Sequence, residues 1–186
     1  MKTLKKVVWV LLIAIVVILS VYGFYGGFTK ITPDIAKEGG ETLVYEKITG
    51  DYRQSSTVSD KVYHSLLRDY NIETTKGFGI YYDNPKNVAT NQLRADVGCI
   101  VDSEHLDEWE ALRTNFEVTT FPIDEYLVAE FPYKGKLSVL IGIFKVYPEI
   151  ETYIEENDYQ SDTPVMEIWD IPNKKIIYRK KLVKNS

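Results

Sequence analysis

The stretch Ile80-Tyr81-Tyr82-Asp83-Asn84-Pro85 has a counterpart in Ile168-Trp169-Asp170-Ile171-Pro172, and the two leading isoleucines are 88 residues apart. In both copies a short aromatic run ends at a proline turn, which is typical of a strand that leads into a loop. A strand-like and a helix-like segment precede each copy, and another strand-like segment follows it. A duplicated unit explains this repetition, and the duplication decides the predicted fold.

The first copy of the unit covers about residues 41–102. Val58, Val62 and Leu66 recur at helical spacing, and the hydroxyl side chains of residues 55–57 can cap a helix that begins there. The apolar runs on either side have the length and the turn boundaries of strands. The sequence therefore predicts a strand over 41–48, a helix over 55–70, and strands over 78–82 and 95–101.

The second copy covers about residues 124–183 and repeats this order. Leu140, Phe144 and Tyr147 lie along one side of its helix. Pro148 has no backbone N–H for the helical ladder, so we expect a kink or a restart there. The predicted elements are a strand over 126–131, a helix over 137–157, strands over 165–171 and 175–182, and a short helical stretch around 106–112 within the connector 103–123.

Two strand-helix-strand-strand modules of this size predict one shared domain. A single module has three strands and one helix, which is too little to enclose a core. Two modules can share one antiparallel sheet and place both helices on a common face. The predicted fold class is therefore α+β.

The amino-terminal segment is apolar over residues 7–29, which carry no charge. As a helix these 23 residues would reach roughly 34 Å, enough to cross the hydrocarbon layer of a bilayer. We favour a transmembrane anchor over a cleavable signal peptide, because the run is long and ends without a good small-x-small cleavage site. The expected division is an anchor over 1–25, a tether over 26–40 and a domain over 41–186.

Lysines flank this segment unequally. Lys2, Lys5 and Lys6 precede it, whereas Lys30 and Lys37 follow it. The excess of positive charge on the amino-terminal side predicts a cytoplasmic amino terminus. The folded domain would then lie on the extracytoplasmic side of a single-pass membrane protein.

Composition excludes several classes of function. Residues 31–186 hold 18 basic and 27 acidic residues, a net charge of −9, which disfavours nucleic acid as a partner. A single cysteine, Cys99, excludes an intramolecular disulfide, and no cysteine and histidine spacing resembles a zinc site. We expect no metal and no cofactor.

Four stretches of the chain carry a resemblance to a known family. They are Gly79-Ile80-Tyr81-Tyr82-Asp83-Asn84-Pro85, Ala95-Asp96-Val97-Gly98, Val128-Ala129-Glu130-Phe131-Pro132-Tyr133-Lys134-Gly135 and Pro164-Val165-Met166-Glu167-Ile168-Trp169-Asp170. With these stretches the chain resembles the GyrI-like small-molecule-binding domains over about residues 41–183. Members of this family also serve as effector domains of bacterial multidrug-responsive transcription regulators. In those regulators a DNA-binding region precedes the domain, whereas here the apolar segment occupies that place.

This resemblance implies two modules related by a pseudo-twofold axis, with a ligand cleft at their junction. Alternation places Met166 and Ile168 on one face of their strand and Glu167 and Trp169 on the other. If the first face meets the helices, Glu167 and Trp169 point into the cleft. The resemblance implies that the glutamate matched by Glu167 lines it.

The internal repeat adds two further expectations about this cleft. Tyr81 occupies the place of Trp169 in the first module and should look toward it across the axis, and Gly79 should leave space where the second module has a carboxylate. Tyr133 is a further candidate aromatic wall. The predicted ligand-binding residues are Glu167, Trp169, Tyr81 and Tyr133.

A carboxylate among aromatic rings is costly unless a partner compensates it. A small hydrophobic or cationic molecule would do so in a binding module. The resemblance also implies an alternative, a hydrolase of electrophilic cyclopropane-type molecules in which Glu167 is the catalytic group. A third alternative is a protein-interaction module at the membrane. Glu167 could also have a purely structural role: if the hairpin loop holds three residues, it shares a face with Lys175 and Arg179 and can form a cross-strand ion pair.

Overall fold

The computed structural model describes residues 2–102 and 109–185. Residues 103–108, the first part of the connector, lie outside the described residues. Of the helical stretch predicted around 106–112, residues 106–108 therefore also lie outside them. The elements in chain order are α1 (Lys2–Phe24), β1 (Asp34–Glu38), β2 (Thr42–Thr49), α2 (Ser55–Tyr70), β3 (Lys76–Tyr81), β4 (Arg94–Val101), α3 (Trp109–Leu112), β5 (Glu117–Thr120), β6 (Asp124–Pro132), α4 (Lys136–Glu156), β7 (Val165–Asp170) and β8 (Lys175–Lys181).

Eight strands form one antiparallel sheet in the order β1-β6-β8-β7-β3-β4-β2-β5. The ladder of β1 with β6 ends at Glu38 opposite Asp124, and the ladder of β2 with β5 begins at Thr42 opposite Thr120. Phe121 joins the two ladders, because its backbone bonds to Gly40 and Glu41. The two ends of the strand order are therefore one continuous ladder, and the sheet closes on itself.

The predicted duplication is present in the sheet. Strands β3 and β7 are neighbours at its centre, and Gly79 pairs with Glu167 in their register. These two residues are 88 positions apart, which is the offset of the repeat in the sequence. The same offset relates buried helix residues, Val62 to Ile150 and Leu66 to Ile154. The α+β class, with one antiparallel sheet and helices, is confirmed.

Both helices cover the same face of the sheet, as predicted, but it is the face opposite to the expected one. Tyr178, the cross-strand neighbour of Glu167, packs with Ile150 and Ile154 of α4. Met166 and Ile168 belong to a separate core on the other face. That face is buried without a helix among the described residues, because the closed sheet curls around its own side chains.

Two further differences concern α4 and the segments outside the predicted modules. Helix α4 runs through Pro148 without a restart. Both Pro148 and Phe144 are exposed, so the Phe144 carbonyl that proline leaves without a helical hydrogen bond lies on the solvent-exposed side of the helix.

Two strands lie outside the predicted modules: β1 lies within the segment expected to be a tether, and β5 lies within the connector. Both strands are short and lack the alternation that identifies a longer strand.

Helix α1 is apolar and exposed along Leu4–Phe24. Its length and composition meet the requirement for crossing a membrane, and an amino-terminal signal sequence meets the same requirement. The chain that follows α1 packs on the domain: Ile31 is buried, and Gly26 lies against Phe131 and Pro132.

Candidate ligand-binding cleft

A cleft of about 1730 Å³ opens between α2 and α4, above the central strands β3 and β7. Gly77 of β3 lines its floor together with its register partner Trp169 and with Glu167 of β7. Aromatic and apolar side chains form most of its wall. They include Tyr52, Tyr63, Tyr81, Tyr133, Val139, Ile143, Phe144, Tyr147, Ile150 and Trp169.

Glu167 lies at the centre of the cleft floor and is only 4% exposed. Tyr147 of α4 donates a hydrogen bond of 2.7 Å to its Oε1 atom. Along the sheet, Gly79 and Tyr178 are its cross-strand neighbours. The carboxylate is thus covered from the helix side by one tyrosine and flanked on the strand side by another.

Electrostatics at the cleft floor favour the neutral form of each acidic group. Burial raises the pKa of Glu167 to about 7, and the hydrogen bond from Tyr147 opposes part of that rise. Burial, followed by the nearby charge of Glu167, raises the pKa of Tyr81, Tyr147 and Tyr178 above the ordinary tyrosine value. The three phenols therefore remain protonated, and Glu167 changes charge near neutral pH.

Tyr81 occupies the space that Gly79 leaves open. A Cβ atom on Gly79 would lie 2.8 Å from the Tyr81 hydroxyl oxygen. The ring also packs edge-on against Tyr52, with 4.8 Å between centroids. Tyr81 pairs with Val165 and Trp169 pairs with Gly77. Both rings therefore line the cleft on opposite sides of Glu167 along the sheet.

The structure brings all four predicted site residues to this one cleft. Glu167 and Tyr81 lie on its floor, and Trp169 and Tyr133 line it as half-buried side chains that pack on the α4 core. Whether these residues hold a ligand stays a prediction.

The structural ion pair of Glu167 with Arg179 is not formed. The loop between β7 and β8 holds four residues, so Met166 and not Glu167 is the cross-strand neighbour of Arg179. Arg179 bonds instead to Glu38 and Glu41 over 2.6 Å each, on the other face of the sheet. Lys175 pairs with Glu130. A shift of one position in hairpin register moves every side chain to the opposite face.

Sequence reasoning missed the two tyrosines next to Glu167. Tyr147 packs half-buried on the α4 core, and in addition its hydroxyl bonds Glu167, which helical spacing alone does not indicate. The repeat offset of 88 residues could have indicated the role of Tyr147. It matches Tyr147 to Ser59, whose hydroxyl also donates a hydrogen bond to the sheet, at the carbonyl of Gly98. Tyr178 gives no signal by spacing. Its buried hydroxyl has no hydrogen-bond partner among residues 2–102 and 109–185.

A lysine also lines the cleft. Lys180 of β8 is 5% exposed and donates hydrogen bonds to the carbonyls of Ser161 and Thr163. Burial lowers its pKa to about 8, and the carboxylates of Asp162 and Glu151 oppose this shift. Its polar contacts are thus to the loop before β7. Within the part of the chain that the structure describes, no group of three or more His, Cys, Asp or Glu residues is arranged to hold a metal ion.

Two curated proteins share part of this sequence. Testis-expressed protein 264 of Homo sapiens is 33% identical over 89 residues, and its Mus musculus homolog is 31% identical over 87 residues. Each match covers 44% of this chain and 28% of the relative. The chain therefore corresponds to less than a third of the length of these relatives.

Solved structures share the fold at low sequence identity. SAV2435 bound to tetraphenylphosphonium superposes with a TM-score of 0.53 at 12% identity, covering 82% of this chain and 94% of that one. The EcmrR C-terminal domain gives 0.55 at 8% identity, covering 84% and 98%. An uncharacterized conserved protein from Listeria innocua gives 0.50 at 16% identity, covering 82% and 92%. These likenesses show the fold alone.

The family profile of the GyrI-like small molecule binding domain matches residues 43–175, which is more than half of the chain. The match contains both modules from β2 to the start of β8, and it therefore includes the floor and both helical walls of the cleft. On this ground the chain belongs to the GyrI-like small-molecule-binding domain family.

Proposed function

We propose that this domain binds a cationic or amphipathic small molecule in the cleft between α2 and α4, with Glu167 as the charge partner. The observation that carries the proposal is a buried carboxylate that forms no ion pair with any lysine or arginine among the described residues. Tyr147 supplies a single hydrogen bond, which is less than a buried carboxylate requires. A cation that enters the cleft would supply the missing charge.

The aromatic wall supports the same class of ligand. Trp169, Tyr81 and Tyr133 present ring surfaces to a cleft that is large enough for a drug-sized molecule. Aromatic rings stabilise apolar cations by stacking and by cation–π attraction. SAV2435, which shares the fold, is bound to tetraphenylphosphonium, and that compound is therefore the probe of choice here.

Calorimetric titration of the full chain in lipid nanodiscs with tetraphenylphosphonium tests this proposal, with empty nanodiscs as the blank. Loss of the charge partner in Glu167→Gln should weaken binding by about 1.5 to 3 kcal/mol, roughly 10- to 100-fold. Triphenylphosphine oxide, a neutral molecule of similar shape, should bind both proteins alike. Equal tetraphenylphosphonium affinities in the two proteins would remove Glu167 from the site.

A second candidate function is hydrolysis of an electrophilic cyclopropane. The pKa of about 7 at Glu167 is the observation that favours it, because a carboxylate of this basicity can accept a proton from water at neutral pH. In this reaction water forms a new C–O bond as a ring C–C bond breaks, and its proton passes through Glu167 to the released carbon. Glu167→Gln should then abolish turnover while a neutral substrate still binds.

We further propose that α1 is an uncleaved anchor with its amino end in the cytoplasm. The support is the exposed apolar surface of α1 together with the lysines that precede it. The intact mass of the mature chain distinguishes an anchor from a removed signal peptide. Protease protection in sealed vesicles should show the domain on the extracytoplasmic side.

A further inference from the structure

The amino-terminal half of α4 carries an exposed apolar face. Leu137, Leu140 and Phe144 recur at positions i, i+3 and i+7, and their exposed fractions are 38%, 51% and 72%. This spacing places the three side chains on one stripe of the helix. A continuous exposed stripe of large apolar side chains in an otherwise acidic domain marks an interaction surface.

The chain that leaves α1 is fixed beside this face. Lys134 lies with its Nζ atom 4.4 Å from the ring centre of Phe24, the last residue of α1. Lys145 donates a hydrogen bond of 2.7 Å to the carbonyl of Gly27. These contacts lie just before and just after the stripe along the chain. The exposed stripe is therefore at the level where α1 ends.

Two exposed lysines lie at the start of the stripe. Lys134 and Lys136 are exposed at the amino-terminal end of α4, whereas the Nζ atom of Lys145 is held by its hydrogen bond to Gly27. Lysines with apolar stems beside large apolar side chains are typical of surfaces that rest in the headgroup layer of a bilayer, where the charged ends reach anionic lipid. The rest of the domain is acidic, so this face is the one that suits such a membrane surface.

The stripe also borders the cleft. Phe144 belongs both to the stripe and to the cleft wall, and Ile143 and Lys136 line the cleft next to it. A molecule that contacts the stripe therefore lies at the entrance of the cleft that contains Glu167.

We propose that Leu137, Leu140 and Phe144 insert into the interfacial layer of the bilayer that holds α1, so that the cleft opens at the membrane surface. The proposal rests on the anchoring function proposed above. It means that an amphipathic ligand reaches the cleft from the lipid phase. The bilayer is the occupant of the stripe, and a second copy of the chain is the competing occupant.

Site-directed spin labelling of the full chain in phosphatidylcholine vesicles with a minor fraction of phosphatidylglycerol tests this proposal. Labels are placed at Phe144→Cys and Leu140→Cys, with Leu67→Cys as the matched control, because Leu67 is 41% exposed on α2. Cys99 is buried, and burial raises its thiol pKa to about 11, and both properties slow its reaction with the label.

Collisions with oxygen should exceed collisions with a water-soluble nickel complex at 140 and 144, and the order should reverse at 67. In a second outcome, the chains float with the vesicles and yet collide more with the nickel complex than with oxygen at all three positions. That result would overturn the membrane contact of the stripe and leave the proposed anchor intact. Spin–spin broadening at 140 or 144 would assign the stripe to a second copy instead. Chains that fail to float would overturn the anchor and the membrane contact together.

Discussion

The hydroxyl of Tyr147 lies 2.7 Å from Oε1 of Glu167 and is the hydrogen-bond donor to that carboxylate among the described residues. The two side chains come from α4 and β7, so the bond joins the helical wall of the cleft to its floor. A change in the charge of Glu167 therefore changes the strength of a contact between α4 and the sheet.

Removal of the Tyr147 hydroxyl should make Glu167 harder to ionise. The hydrogen bond lowers the pKa of Glu167, so Tyr147→Phe should raise it by about one to two units, the equivalent of a hydrogen bond to a charged group. Carboxyl infrared bands followed against pH measure the change. Tyr153→Phe, also on α4 and half-buried, is the control and should leave the titration of Glu167 in place.

Stability should fall between pH 4.5 and 7 because of Glu167. Its pKa is raised from 4.5 to about 7 on folding, so within that window the folded chain holds a proton that the unfolded chain has released. At pH 8 this should cost the wild type about 3 kcal/mol relative to Glu167→Gln, and near pH 4 the two proteins should be similar. Urea unfolding at several pH values gives the difference, and a difference that does not vary with pH would contradict the buried, protonated Glu167.

Affinity for a lipophilic cation should rise with pH. Below about pH 7 Glu167 is protonated and lacks its charge, so the dissociation constant of tetraphenylphosphonium should fall by roughly 10- to 100-fold in total from pH 5 to 7 and then level off. Calorimetry in two buffers of different ionisation enthalpy measures the released proton. Glu167→Gln should show a flat profile, and a flat profile in the wild type would mean that the cation avoids this carboxylate.

A side chain at Gly98 should disrupt the centre of the sheet. A Cβ atom there would lie 2.0 Å from the carbonyl oxygen of Val44 and 2.7 Å from the Cα atom of Tyr45, both of which are backbone atoms of β2. Because backbone cannot rotate away, Gly98→Ala should cost about 3 kcal/mol or more in free energy of unfolding. Gly77→Ala is the control on the adjacent strand: its nearest neighbour is the Ser59 hydroxyl at 3.2 Å, and a comparable loss there would contradict this explanation.

Much of the fold follows from local sequence pattern. The helix over 55–70 is observed at the predicted bounds, and the six strands of the two modules begin and end within two residues of prediction. The repeat offset of 88 holds at the Gly79–Glu167 pair. Strands β1 and β5 could not be predicted in this way, because they are stabilised by ladders to distant strands and not by their own alternation.

The candidate site could be predicted only in part. Glu167 and Trp169 were placed on one face by alternation, and the repeat added Tyr81 to the same cleft. Tyr178 and Lys180 were missed, because their membership depends on the register of the hairpin between β7 and β8. That register follows from a four-residue loop, and a three-residue loop would have placed Arg179 on the same face of the sheet as Glu167.

The sequence by itself determined the two modules, their helices and strands, and the apolar helix before them, because these features depend on spacing along the chain. Tertiary structure decided which face of the sheet the helices cover. Alternation separates Met166 and Ile168 from Glu167 and Trp169, but both faces of β7 are buried, so hydrophobicity cannot mark the helical side. Closure of the sheet buries the face that carries Met166 and Ile168. Glu167 on the other face therefore lies under α4, where burial raises its pKa and favours its neutral form.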